Sequence, residues 1–338
     1  MTLYKVLILF FVSSVIFYLI NLIGSNLGLY DRPSKHKTHK TRALFVGGIA
    51  IQIILIFSIK LFNYNIYFIN IILISCILTI AGFLDDLKKI NIGSKFLFQL
   101  FATFFLYYNG FKVIDLGTYS YLGTIELNNF SIIFTAISIL ILINGYNYID
   151  GIDGLASSLF ISSIFLISLF QERNILNLEF EYFLIIIYLI FLILNFNIFK
   201  KLEKVFLGNS GSMLTGFLVA SLAIYYSSVV KIIHPSLVIW SFALIFFEFI
   251  SVNLSRFIGE KKILKPGKDH VHFILKKYIK RNFLIVIFLT LINIFFGVFG
   301  YLIYSFVGPI TSLISYLILF FIFYFTRDYF KKQKSNFY

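Results

Sequence analysis

Tyr67-Phe-Ile-Asn-Ile-Ile-Leu-Ile-Ser-Cys-Ile-Leu-Thr-Ile-Ala-Gly-Phe-Leu84 runs without a single charge and then meets Asp85-Asp86-Leu-Lys88-Lys89. An uninterrupted apolar stretch of about 20 residues is what a helix needs to cross a bilayer core. Windows of the same kind recur at 4–24, 44–62, 96–110, 130–145, 155–170, 182–199, 212–230, 237–254, 283–306 and 310–326. The reading is an all-α polytopic membrane protein of about eleven transmembrane helices, forming a single integral-membrane domain over 1–338. Composition agrees: 59% of the residues are hydrophobic and 13% charged, outside the balance of a soluble domain. The first window has one weak positive charge ahead of it and no small-residue cleavage site behind it, so it reads as a retained span.

The basic residues orient the spans. With the N-terminus outside, all of the 29 Lys and Arg residues except Lys5, Lys60, Lys112, Arg173 and Lys231 fall in loops or a tail on one side. Cytoplasmic loops retain positive charge in this way, so the C-terminus is expected in the cytoplasm. The net charge of +14 is therefore a topological signal, and no soluble basic domain exists to bind nucleic acid. Cys76 is the one cysteine, which excludes an intramolecular disulfide and a cysteine-built metal site. No internal repeat is visible, so an ion-coupled transporter lacks its usual sequence pointer.

Acidic residues are costly in a membrane and need a reason. Asp85 and Asp86 end the third span, Asp150 and Asp153 follow the fifth, and the topology brings both pairs to the cytoplasmic face. Segments 31–42, 208–212 and 265–272 reach the same face, which predicts an active site formed by cytoplasmic loops. Loop Asn144-Gly-Tyr-Asn147-Tyr-Ile-Asp150-Gly-Ile-Asp153-Gly154 carries three glycines and four amide or carboxylate side chains and no basic residue. Oxygen-only ligands suit a hard cation such as Mg²⁺; a turn rich in Asx and Gly is the plain alternative. Gly208-Asn209-Ser210-Gly211-Ser212 opens the eighth span with small residues, either as a phosphate-binding helix N-terminus or as a simple N-cap at Ser210 or Ser212. His270 and His272, at i and i+2, do not share a helical face, so a phosphate or nucleotide contact fits them better than a two-histidine metal site.

As a set, these residues resemble the bacterial polyprenyl-phosphate N-acetylhexosamine-1-phosphate transferases, the superfamily of glycosyltransferase family 4 that includes the lipid I translocase. The likeness runs from Asp31-Arg-Pro33 and Gly47-Gly48, through Gly82-Phe-Leu-Asp85-Asp86 with Lys95 and Gln99, then Asn144 to Gly154, then Asn195 with Phe206 to Ser212, to Glu248, Arg256 and His270 to His272. It implies transfer of a HexNAc 1-phosphate from a UDP-sugar to undecaprenyl phosphate with release of UMP, an early step of O-antigen, capsule or teichoic acid synthesis at the bacterial inner membrane. It implies Asp85, Asp86, Asp150 and Asp153 as the catalytic set. Lys37, His39, Lys95, Asn144, Arg256, His270 and His272 would contact the substrates, and Asn147 and Asn209 would hold Mg²⁺ or Mn²⁺. The expected partners are a UDP-N-acetylhexosamine, undecaprenyl phosphate and membrane lipids; a homodimer is compatible with the sequence.

Four positions depart from the family pattern. Asn209 stands where an aspartate is usual, which removes a charge from the expected metal site and predicts weaker Mg²⁺ binding or an impaired homologue. Glu248 replaces an aspartate and Leu44 a proline. Phe273 replaces the last histidine of a triple, which is similar to the branches that serve O-antigen or capsule linkers rather than the peptidoglycan translocase.

Overall fold

The computed structural model describes residues 3–31, 42–171, 178–198, 201–259, 267 and 269–333. Each of the eleven apolar windows coincides with a helix. In chain order the first four are α1 (Leu3–Asn26), α2 (Gly47–Leu61), α3 (Ile66–Lys88) and α4 (Ile92–Tyr108). They are followed by α5 (Ser131–Ile149), α6 (Leu155–Phe170), α7 (Glu179–Asn195) and α8 (Gly208–Ile224), which ends in a π-helical turn, Tyr225–Val229. The ninth apolar window is broken into α9 (Pro235–Val238), a 3-10 turn (Ile239–Phe242) and α10 (Ala243–Ile258). A short α11 (Val271–Leu275) precedes α12 (Asn282–Val307) and α13 (Pro309–Gln333). Among the described residues, sheet is confined to two small antiparallel pairs, β1 (Tyr30–Asp31) with β2 (Ala43–Leu44) and β3 (Asp115–Tyr119) with β4 (Gly123–Glu126).

This is a multi-pass helical membrane protein. Seven of its helical segments are long and apolar enough to cross a bilayer by length and composition. The other four, α2, α4, α6 and α7, are 15, 17, 16 and 17 residues long. Local chemistry sets several boundaries. Asn65 caps α3 by accepting from the Phe68 N–H at 3.0 Å, and Asn91 caps α4 by accepting from the Ser94 N–H at 2.7 Å. Where the ninth apolar window breaks, Asn293 of α12 satisfies the freed backbone: its Oδ1 accepts from the Leu244 N–H and its Nδ2 donates to the Ser241 carbonyl. A broken helix within a bundle requires such partners.

Helix α8 is the hub. Its span Gly208–Val229 is 94% buried inside the protein, against 11% for Pro309–Gln333 at the lipid-facing periphery. Small residues make that burial feasible. A Cβ on Gly48 of α2 would collide with the Gly211 backbone, and one on Gly82 of α3 with the Ser210 backbone. Close backbone approach through small residues is how helices associate where lipid offers no hydrophobic driving force. The same approach delivers the end of α3 to the start of α8.

The functional segments are more helical than their loop reading. Asp85 and Asp86 occupy the last turn of α3, and Asn144 and Asn147 lie on α5, which continues to Ile149. At i and i+3 the two asparagines share one helical face. The site is therefore built from helix ends and tight turns rather than from loops alone.

Candidate active site

A cavity of about 490 Å³ opens at one end of the bundle. Its walls come from six separate parts of the chain: Asp31 and Phe45, the Asp85-Asp86 turn, Asn147 to Asp153, Asn195 with Phe206 to Asn209, Phe273, and Asn282. Residues 44–48 and 204–207 are joined backbone to backbone. The Leu44 N–H donates to the Lys204 carbonyl at 2.8 Å, and the Phe206 N–H donates to the Leu44 carbonyl at 2.7 Å. This strand-like strap fixes the entry into α8 beside the entry into α2.

Asp86 caps α8 from another helix. Its Oδ1 accepts the Asn209 N–H at 3.1 Å and its Oδ2 the Ser210 N–H at 3.3 Å. A carboxylate at a helix N-terminus satisfies orphan donors and complements the dipole. Gly208 lets it in: the glycine has φ of +73°, and a Cβ there would sit 2.7 Å from Asp86 Oδ2. The N–H groups that the sequence offered to phosphate, and the caps it offered through Ser210 or Ser212, thus give way to a cap supplied 123 residues away.

The other carboxylates differ in their company. Asp85 is paired with Lys95 at 3.1 Å, and Asp153 with Lys204 at 2.6 Å. Asp150 ends α5 on the cavity wall, its N–H donating to the Tyr146 carbonyl, and its carboxylate has no hydrogen-bond or ion-pair partner among the described residues. Burial, then the neighbouring Asp86 and Asp153 carboxylates, push its pKa up to about 7. A carboxylate set beside two others, with no cation of its own among the described residues, is in surroundings that a hard divalent ion relieves. No preformed cage of three or more His, Cys, Asp or Glu side chains exists among the described residues.

Asn147 and Asn209, read as the metal pair, are brought together but bonded to each other: Asn147 Nδ2 donates to Asn209 Oδ1 at 2.8 Å and to Ser212 Oγ at 2.9 Å. Lys95 Nζ also donates to Asn209 Oδ1, at 3.2 Å. Asn144 does not line the cavity; it exchanges amide hydrogen bonds with Gln99 at 2.9 and 3.3 Å, which ties α5 to α4.

The C-terminal residues form a wall rather than a cluster of open charges. Arg256 is buried and holds Asp269 in a two-pronged pair, Nε to Oδ2 at 3.0 Å and Nη2 to Oδ1 at 2.7 Å. Although burial works against it, this pairing keeps the Asp269 carboxyl well below the usual range. Glu248, fully buried, accepts the Val271 N–H at 2.9 Å and approaches His270 Nδ1 at 3.4 Å. Arg327 of α13 completes the group, 3.2 Å from Glu248 Oε2 and donating to the Asp269 carbonyl. His270 meets Tyr148 edge to face, and His272 is fully buried with Nε2 packed over Gly151. Burial, then His270, lower the His272 pKa to about 3, so this ring is neutral at physiological pH and brings no positive charge to an anion. The assembly holds Phe273 on the cavity wall and braces the Asp150 to Asp153 turn from behind.

Lys37 and His39 lie outside the described residues. Sequence reasoning missed Arg327, Asp269 and Asn282 as parts of the site. Arg327 reads as one more tail charge, and nothing local marks the other two.

Comparison with known proteins places this geometry. A model of "Glycosyl transferase family 4" matches residues 67–227. The undecaprenyl-phosphate alpha-N-acetylglucosaminyl 1-phosphate transferase of Salmonella typhi is 26% identical over 277 residues, covering 80% of this chain and 75% of that protein. The enzyme of the same name in Escherichia coli K12 is 24% identical over the same shares. A probable undecaprenyl-phosphate N-acetylglucosaminyl 1-phosphate transferase of Bacillus subtilis is 26% identical over 284 residues, 82% of this chain and 77% of it. The matched segment carries the Asp85-Asp86 turn, the amide and carboxylate face ending α5 and the capped start of α8, so the parts that meet in the cavity lie in the segment that is similar to glycosyl transferase family 4.

Proposed function

We propose that the cavity transfers an N-acetylhexosamine 1-phosphate from a UDP-sugar to undecaprenyl phosphate, releasing UMP, at the cytoplasmic face of a bacterial inner membrane. The observation that carries the reading is the gathering of four carboxylates, Asp85, Asp86, Asp150 and Asp153, at one end of an apolar bundle. A water-soluble nucleotide and a lipid headgroup can meet only at such a boundary. The sidedness is supported by how the ends of the bundle group. Segments expected inside line the cavity, while segments expected outside touch one another: Lys231 pairs with Asp115, Lys5 with Glu179, and Asn65 donates to Tyr225. That grouping is the one eleven crossings would produce.

Phosphoryl transfer asks little covalent chemistry of a protein, so positioning and charge neutralisation dominate. Asp85, steadied by Lys95, is placed to hold or deprotonate the acceptor phosphate. Asp86 fixes α8, and the Phe273 wall closes the side where the nucleotide would enter. Asp150, with the Asn147 Oδ1 that its hydrogen-bonding amide nitrogen leaves available, would hold Mg²⁺ or Mn²⁺, which supplies positive charge to the diphosphate. Membranes incubated with radiolabelled UDP-GlcNAc, UDP-GalNAc and UDP-deoxyhexosamines should yield labelled lipid with one of them. Asp85→Ala should lower that yield by about 100-fold or more while the protein still inserts; full activity in Asp85→Ala would end the assignment.

A further inference from the structure

The Asn209 side chain sits where three groups meet. Its Nδ2 donates to Asp86 Oδ1 at 2.8 Å, while its Oδ1 accepts from Asn147 Nδ2 at 2.8 Å and from Lys95 Nζ at 3.2 Å. Chemistry fixes which way the amide faces. The Asp86 carboxylate already accepts two backbone N–H groups and can only accept again, whereas the Lys95 ammonium can only donate. Both ends of the carboxamide are therefore used, and for opposite purposes. A carboxylate could serve Lys95 and Asn147 but would set a second negative charge against Asp86 at hydrogen-bond distance.

We propose that Asn209 is a positioning residue, a neutral clasp that holds Asp86 on the start of α8 and Lys95 against Asp85, so that the cavity is organised without a cation ligand from position 209. The expectation drawn from sequence, that Asn209→Asp restores a missing ligand and improves function, reverses. The role of the clasp in turnover rests on the transferase reading; the clasp itself does not, because it is measurable as stability.

The test uses the full-length protein in detergent, with thermal unfolding followed in EDTA and in excess Mg²⁺. Asn209→Asp should unfold lower than the native protein in EDTA by about 2 to 4 °C or more, and Mg²⁺ should recover more of that loss in the variant than it adds to the native chain. The exchanged pair Asp86→Asn with Asn209→Asp restores an amide facing a carboxylate and should regain at least half of the loss, which separates a clasp from a generally damaged fold. In transfer assays Asn209→Asp should lose about 10-fold or more in kcat with little change in the KM for UDP-sugar, the pattern of misplaced groups rather than lost binding. An Asn209→Asp protein as stable in EDTA as the native one, or failure of the exchanged pair to recover stability, would overturn the clasp. So would faster transfer by Asn209→Asp. If the native chain transfers nothing, the functional reading falls and the unfolding measurements still decide the clasp.

Discussion

The Asp150 carboxylate is kept where its charge is disfavoured, without a partner among the described residues and near the Asp86 and Asp153 carboxylates. A group that strains the fold and faces a cavity is a group placed for chemistry. Asp150→Asn keeps the shape and removes the charge, so it should lower transfer by about 100-fold while leaving the unfolding temperature in EDTA unchanged or slightly raised. A fall in stability with retained activity would show that Asp150 is structural. At this scale the sequence was informative about residue type: the absence of lysine from Asn144 to Gly154 marked that turn as unlike an ordinary cytoplasmic loop. It was uninformative about partners. Lys95 and Asn209 are 114 residues apart, and nothing local reveals that they touch.

Two helices carry the site through contacts that periodicity does not reveal. Helix α8 needs Asp86 as its cap, and the segment 269–275 needs Arg327 from α13. The Glu248–Arg327 pair is buried at both ends, 0% and 1% exposed. Removing one partner of such a pair leaves an uncompensated buried charge, so Arg327→Met should cost about 3 to 5 kcal/mol. Glu248→Gln combined with Arg327→Met should cost less than Arg327→Met alone, as read by unfolding of the purified variants; equal losses would mean that the two charges do not interact. Helix existence was legible because apolar windows of bilayer length admit one structure in lipid. Helix ends were not. The third and fifth windows stop at Leu84 and Gly145, whereas α3 and α5 continue to Lys88 and Ile149 and carry Asp85, Asp86 and Asn147 onto the cavity wall.

Across the whole molecule, charge asymmetry and apolar length were enough to bring the Asp85 and Asp150 segments to one surface, and the structure puts both on the walls of one cavity. What no sequence window holds is the depth of α8, which follows from glycines on two other helices, or the wall that the last helix secures. The reaction proposed for this cavity joins a cytoplasmic nucleotide to a membrane acceptor. Sealed vesicles of both orientations, supplied with UDP-GlcNAc or another accepted UDP-sugar carrying ³²P at the β-position, test it most directly. The label should enter the lipid extract in inverted vesicles containing the native chain and not in right-side-out ones. Label appearing equally in sealed right-side-out vesicles, or remaining entirely in the aqueous phase of both, would contradict it.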